Sequence, residues 1–238
     1  MRHDRARFAL LVMASAKAYD QPSLNASWAA FLEHVPTLLV IWLATLVLSG
    51  LGVLVSVLIV LVAAALTGGA SDPATSLAAL LANLGQLPFV LLSSLVGVLL
   101  MAVPALYYET GEVVTTRVAF TALMARPWRY LLAGIFFALV TTVGFLLCIV
   151  PGIAVALVAP VYVNRIFLTE QSITQAFAGS FQAVYRSSQG MSYVLIEVLA
   201  ALVVFVRSIC TCGLGALVAA PLSAFYLQNA AYHKGVIS

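Results

Sequence analysis

A few residues could do chemistry in this chain, and the first are ionisable or amide side chains inside long apolar stretches. Glu197, Arg165, Asn164 and Asn229 lie in such stretches. Polar and charged groups are costly in hydrocarbon, so those that occur there tend to pair or to mark a site. Counted along their helices from the same membrane face, Arg165 and Glu197 share a depth. The spacing therefore predicts a polar cluster of Arg165, Glu197, Asn164 and Asn229, with a direct contact between Arg165 and Glu197. Its structural role is a packing clamp and its functional role a substrate or proton site. Cys148, Cys210 and Cys212 form a second group. They read first as small apolar residues at helix ends, and a bridge from Cys148 to Cys210 or Cys212 is the alternative.

Other chemistries find little support. His3, His34 and His233 are far apart, and metal sites need clustered donors. They read as solvated surface histidines. There is no Gly-x-Ser-x-Gly elbow for a serine nucleophile. The three cysteines fit neither a disulfide framework nor a zinc spacing. No basic block interleaves with aromatic residues, which argues against nucleic acid as a partner. The sequence thus names no catalytic residue, cofactor or metal.

The elements that carry these residues are set by hydrophobicity. Of 238 residues, 63% are hydrophobic and 8% charged. Soluble domains carry roughly 25% charged residues. Unbroken apolar runs such as Leu38 to Leu66 exclude the alternating pattern of a membrane barrel. The expected fold is an all-α integral membrane protein, a single polytopic domain over residues 1–238. Charge-free stretches and turn signals give six transmembrane helices at about 36–66, 88–108, 130–149, 152–168, 192–209 and 213–231. Gly50 and Gly52 are candidate kinks in the long first span. Thr67, Gly68, Gly69, Asp72 and Pro73 read as a loop, and Pro151-Gly152 as the turn between the third and fourth spans.

Six spans with both termini in the cytoplasm put ten of the eleven basic residues inside, leaving Arg207 outside. Three arginines before Phe8 to Ala14, with Ala14-Ser15-Ala16 after, imitate a signal peptide. Cleavage would place most of the other arginines outside, so the stretch reads as a short interfacial helix. The three cysteines then end at the outer face.

One pattern recurs: a Ser or Thr, four residues, an aromatic, a small residue. It occurs at Ser23 to Ala29, Thr115 to Thr121 and Ser172 to Ala178, each before a pair of spans. Ser and Thr are good helix caps, and the mixed polarity that follows suits a helix in the membrane interface. The expectation is three repeats, each an interfacial helix (23–34, 115–125, 172–186) followed by a transmembrane hairpin.

Val150-Pro151-Gly152-Ile153, followed by Glu170-Gln171-Ser172, Ala176-Phe177 and Ser180-Phe181, resembles the YciC-like bacterial inner-membrane proteins. It is also similar to the membrane domain beside some glycerophosphodiester phosphodiesterases. The resemblance covers roughly residues 110–230. It implies a six-helix protein of the bacterial inner membrane and no particular activity, and nothing here resembles that enzyme's soluble catalytic domain. The functional expectation is a non-enzymatic membrane protein in an accessory or assembly role. Its partners would be membrane lipid, other membrane proteins or a second copy of itself. A small-molecule or lipid transporter is the alternative, and an intramembrane enzyme ranks last. A polar or lipid-wide cavity would favour transport. A solid core with an exposed apolar groove would favour a partner.

Overall fold

The computed structural model describes residues 14–67 and 72–237. The interfacial helix expected at Phe8 to Ala14 and most of the Gly68-Gly69 loop lie outside those residues. Among the described residues there is no strand. A 3-10 turn at Ala16–Tyr19 precedes ten α-helices: α1 Leu24–Thr67, α2 Asp72–Gly97, α3 Leu99–Thr110, α4 Thr116–Ala125, α5 Pro127–Leu147, α6 Ile149–Ala156, α7 Ala159–Leu168, α8 Ile173–Arg186, α9 Gly190–Cys210 and α10 Ala216–His233. Among the described residues five helical stretches are long and apolar enough to cross a membrane: Leu24–Leu66, Ser76–Thr110, Pro127–Leu147, Ile149–Leu168 and Gly190–Cys210. The protein is a helical membrane protein by this measure. The expected sixth span, α10, has 18 residues and is not among the five. It carries Tyr226, Gln228, Asn229, Tyr232 and His233, which lower its hydropathy.

The chain divides into two compact units, one of Leu39–Gly97 and one of the residues on either side of it. The smaller unit is a helix pair, the later part of α1 with α2. Glycine allows the two to approach closely. A Cβ on Gly85 would sit 2.6 Å from the Ile59 side chain, and one on Gly52 would sit 2.9 Å from Phe89 Cβ. Ser49 and Ser93 share a hydrogen bond of 2.9 Å between their hydroxyls, and Ser93 also donates to the Thr45 carbonyl. α1 is unbroken through Gly50 and Gly52. Gly52 serves contact and not the kink that its sequence context suggests.

The larger unit is built around α3. Leu99, Ala102, Val103 and Ala105 are fully buried, and α3 packs on α7 and α10. Two helix hairpins flank that core. In the first, α5 turns into α6 at the extended residue Cys148 (φ −172°, ψ 153°). The expected turn at Pro151-Gly152 is therefore corrected. Pro151 lies in the first turn of α6, where a missing N–H costs nothing because it has no helical partner. The glycines serve the crossing instead: a Cβ on Gly144 would meet the backbone of Gly152 at 3.0 Å. In the second hairpin, α9 and α10 are joined through Cys212 (φ 51°) and Gly213 (φ 91°), both left-handed.

The repeated Ser/Thr positions all cap helices. Ser23 Oγ accepts from Ala26 N–H, Thr115 Oγ1 from Val118 N–H, and Ser172 Oγ from Gln175 N–H. Ser172 and Gln175 form a reciprocal capping box. The expected segments 115–125 and 172–186 match the separate helices α4 and α8. The segment 23–34 does not stand alone, because it continues into the first span as one helix. Nothing after Ser23 stops it: Pro36 removes one N–H, and the flanking apolar residues carry the helix through.

Candidate functional site

The site is a cavity of about 480 Å³ in the larger unit. Its walls follow from helical spacing. On α9, Glu197, Ala200, Ala201, Val204 and Ser208 recur at the intervals that keep side chains on one face. On α10, Ala220, Ser223, Ala224, Leu227 and Gln228 do the same. Ala156, Leu157, Ala159 and Pro160 of the α6–α7 stretch close a third side, and Met101 of α3 adds to the wall. The hollow exists because so many facing residues are alanine, too small to fill the space between the helices. The volume falls within the roughly 300–1,000 Å³ of small-molecule sites, and the mostly apolar lining with few polar groups is also typical.

Glu197 is the one ionisable side chain in this wall. It is 5% exposed, and its Oε2 is buried with no hydrogen-bond partner. One helical turn earlier, Tyr193 is fully buried and its hydroxyl also lacks a partner. Leaving a buried polar group unmade costs about 1–3 kcal/mol, and more for a charged one.

The expected polar cluster is not one cluster. Arg165 and Glu197 form no ion pair; the one salt bridge among the described residues is Arg126–Glu170. Arg165 instead lays its guanidinium on α8, where a Cβ on Gly179 would meet Nη1 at 2.6 Å. Shared depth constrains the two residues without joining them, because rotation about each helix axis points the two groups to different neighbours. Asn164 Nδ2 donates to Gln228 Oε1 and to the Tyr232 hydroxyl, both at 3.1 Å. The Tyr232 hydroxyl donates to Glu109 Oε2 at 3.0 Å, and Gln228 Nε2 to the Pro160 carbonyl at 2.8 Å. Asn229 Nδ2 serves a different purpose, donating to the carbonyls of Ala18 (2.9 Å) and Asp20 (3.2 Å) and so holding the amino-terminal turn against α10. Ser15 adds to that dock by donating its hydroxyl to the Tyr108 carbonyl at 2.8 Å.

Gln228, Tyr232, Glu109 and His34 belong to this polar interior, and sequence reasoning misses them. Gln228 beside Asn229 in an otherwise apolar helix is the available signal. His34 is fully buried, with its ring centroid 4.9 Å from Tyr107 and 5.0 Å from Phe225. Its Nε2 accepts from Val114 N–H at 3.0 Å. A neutral imidazole that accepts at one nitrogen carries its proton on the other, so Nδ1 donates to the Ala30 carbonyl at 2.7 Å. His34 is thus a structural anchor and not the solvated surface histidine that the sequence suggests.

Cys148, Cys210 and Cys212 are free and exposed, so the alternative of a bridge is not realised. His233 Nδ1 is 3.0 Å from the Tyr19 carbonyl, and His3 lies outside the described residues. Among the described residues no three His, Cys, Asp or Glu side chains are grouped as metal ligands. Outside the spans, the hydrogen bond from Arg126 holds the Glu170 carboxyl below the usual carboxylate range.

Comparison of the chain with family models, with curated proteins and with solved structures finds no match.

Proposed function

We propose that this chain is a non-enzymatic, six-span protein of the bacterial inner membrane, in the manner of the YciC-like proteins it resembles. In this reading it works by holding a lipid or another lipid-soluble molecule in the chamber beside Glu197. The observation that carries the reading is the cavity of about 480 Å³ with a buried, unpartnered carboxyl oxygen in its wall. A solid core would have favoured a purely protein partner. Four wall residues, Met101, Ala201, Phe205 and Ala220, are exposed, which supports an opening at the outside of the bundle, where lipid would be.

The six-span reading has support from α10, which has 18 residues. At about 1.5 Å per residue such a helix reaches about 27 Å, near the roughly 30 Å hydrocarbon thickness. Gln228, Asn229 and Tyr232 are turned inward to partners, so the face left outward, with Leu217 and Val218, is apolar. Both termini then lie in the cytoplasm, as the distribution of basic residues favours. Two separate capped helices, α4 and α8, each precede a hairpin and support the repeat, while the Ser23 cap opens the first span itself. An impermeant maleimide should label Cys212 from outside, and Ser188→Cys in a variant whose three native cysteines are replaced by alanine only after permeabilisation; the opposite result rejects the orientation.

The chamber is tested by extraction in a mild detergent, with bound molecules identified by native mass spectrometry. Wild type should carry a stoichiometric lipid-soluble molecule, and Ala200→Trp, which fills the chamber, should lose it. Equal occupancy of the two would reject the reading. Export of a small molecule or lipid is the second reading, favoured by the opening toward the lipid phase, and partnership with other membrane proteins or a second copy ranks below both.

A further inference from the structure

The chamber has a sign. Among the described residues no lysine, arginine or histidine lines it, and its one ionisable group is an acid. Gln228 offers no compensating charge, and its amide is already engaged with Asn164 and Pro160. Glu197 lacks an ion-pair partner, and its Oε2 has no hydrogen-bond donor. Tyr193, one turn earlier on α9, leaves a second orphaned hydroxyl on the same side of the helix. The rest of the wall is alanine, leucine, valine, methionine, phenylalanine and proline with two serines. Ser208 donates to its own helix at the Val204 carbonyl, so the end of the chamber away from Glu197 is effectively apolar. From Glu197 to Ser208 the wall runs about 16 Å along α9.

We infer that the chamber binds a cationic amphiphile, an organic ammonium whose head meets Glu197 and whose apolar body lies along α9 toward Ser208. This rests on the reading of the chamber as a ligand site and specifies what fills it. The argument is one of compensation. A carboxyl buried without a partner is costly to ionise, and a ligand cation supplies the partner that makes its charged form favourable, in a medium where the pair attracts strongly. An anionic head would face the carboxylate with no cation nearby. A neutral amphiphile would fill the apolar part and leave the carboxylate uncompensated.

The test uses the full chain in phosphatidylcholine nanodiscs and calorimetric titration with three probes that share one tail: dodecyltrimethylammonium, dodecyl sulfate and dodecanol. Dodecyltrimethylammonium should give a saturable one-site component above partition into lipid. Glu197→Gln should weaken it at least tenfold, and Glu197→Asp, which keeps the charge, should stay within a few-fold of wild type. Thermal unfolding of each variant checks that the bundle is intact. Dodecyl sulfate and dodecanol should show no saturable component. Equal binding of the cation by wild type and Glu197→Gln overturns the inference. So does equal binding of all three probes, or no saturable binding of any. Ala200→Trp separates the two levels. If it abolishes binding while Glu197→Gln does not alter it, the chamber stands and the cationic class falls. If saturable binding survives Ala200→Trp unchanged, the chamber reading itself falls.

Discussion

His34→Phe should destabilise the larger unit by about 1–3 kcal/mol, for one identifiable reason. The segment between α3 and α4 crosses α1 at Val114, which is 2% exposed. Both backbone polar groups of Val114 are held by side chains one turn apart on α1: His34 Nε2 accepts its N–H at 3.0 Å, and Thr37 Oγ1 donates to its carbonyl at 3.0 Å. Phenylalanine keeps the ring packing against Tyr107 and Phe225, so the change isolates the orphaned N–H. The bond from His34 Nδ1 to Ala30 is lost too, but a carbonyl inside a helix keeps its backbone partner. Thr37→Val is the matching perturbation of the carbonyl and should cost a similar amount. Because both anchors hold one residue, the double variant should cost less than the sum by at least ~0.5 kcal/mol. Reversible unfolding in mixed micelles, followed by circular dichroism, measures all three. A change in His34→Phe of under ~0.5 kcal/mol, the size expected of a surface substitution that touches nothing, would refute the clamp.

Three further outcomes follow from the same geometry. Gly144→Ala should cost about 1–3 kcal/mol in the same assay, because its Cβ meets the Gly152 backbone at 3.0 Å and one helix of the hairpin must move; a neutral effect would mean that the α5–α6 crossing is looser than this approach requires. No ion pair joins Arg165 and Glu197. Arg165→Met and Glu197→Gln should therefore add within ~0.5 kcal/mol in the double variant, and a larger coupling would restore the contact that spacing predicts. Glu170 is held below its ordinary value of 4.5 by Arg126. Its contribution is therefore present above the unfolded value and lost as pH falls through the lower folded one. Carboxyl titration by NMR should show that depressed value return toward ordinary in Arg126→Ala, and no change would show that the exposed pair does not persist in solution.

The spans are legible in the sequence because hydrocarbon imposes a one-dimensional rule. Charge-free length and the edges of polarity locate α5, the α6–α7 stretch and α9 to within a few residues. The Ser/Thr-x4-aromatic pattern locates three caps because capping is local chemistry. The turn assigned to Pro151-Gly152 is misplaced because proline is as much at home in the first turn of a helix as in a loop, and only the packing of Gly144 on Gly152 decides between them. The polar residues are harder. Position along a helix gives depth, but which neighbour a side chain meets depends on rotation, and rotation is set by packing against other helices. Arg165 and Glu197, which the sequence puts at one depth, form no ion pair, whereas Asn164 and Tyr232, 68 positions apart, share a hydrogen bond.

The chamber is the least legible feature, since an alanine that fills a tight crossing and an alanine that leaves a hollow look identical in sequence. What distinguishes Glu197 is how the rest of the bundle treats its polar interior. Asn164, Gln228, Asn229, Tyr232 and His34 each find partners, some across long stretches of chain. Trp42 Nε1, Arg129 Nε, Ser187 Oγ and Tyr193 Oη are also buried without partners, yet none of those residues lines the cavity. Among the described residues, Glu197 alone combines an acid, near-complete burial, an orphaned oxygen and open space in front of it. A glutamate kept for packing would gain stability from replacement by glutamine or leucine, because the uncompensated group would go. A bundle that satisfies these amides leaves Glu197 uncompensated beside a cavity that a partner from outside the chain could enter. That asymmetry is what the proposed ligand site rests on, with Glu197 as its binding group and the alanines around it leaving the room.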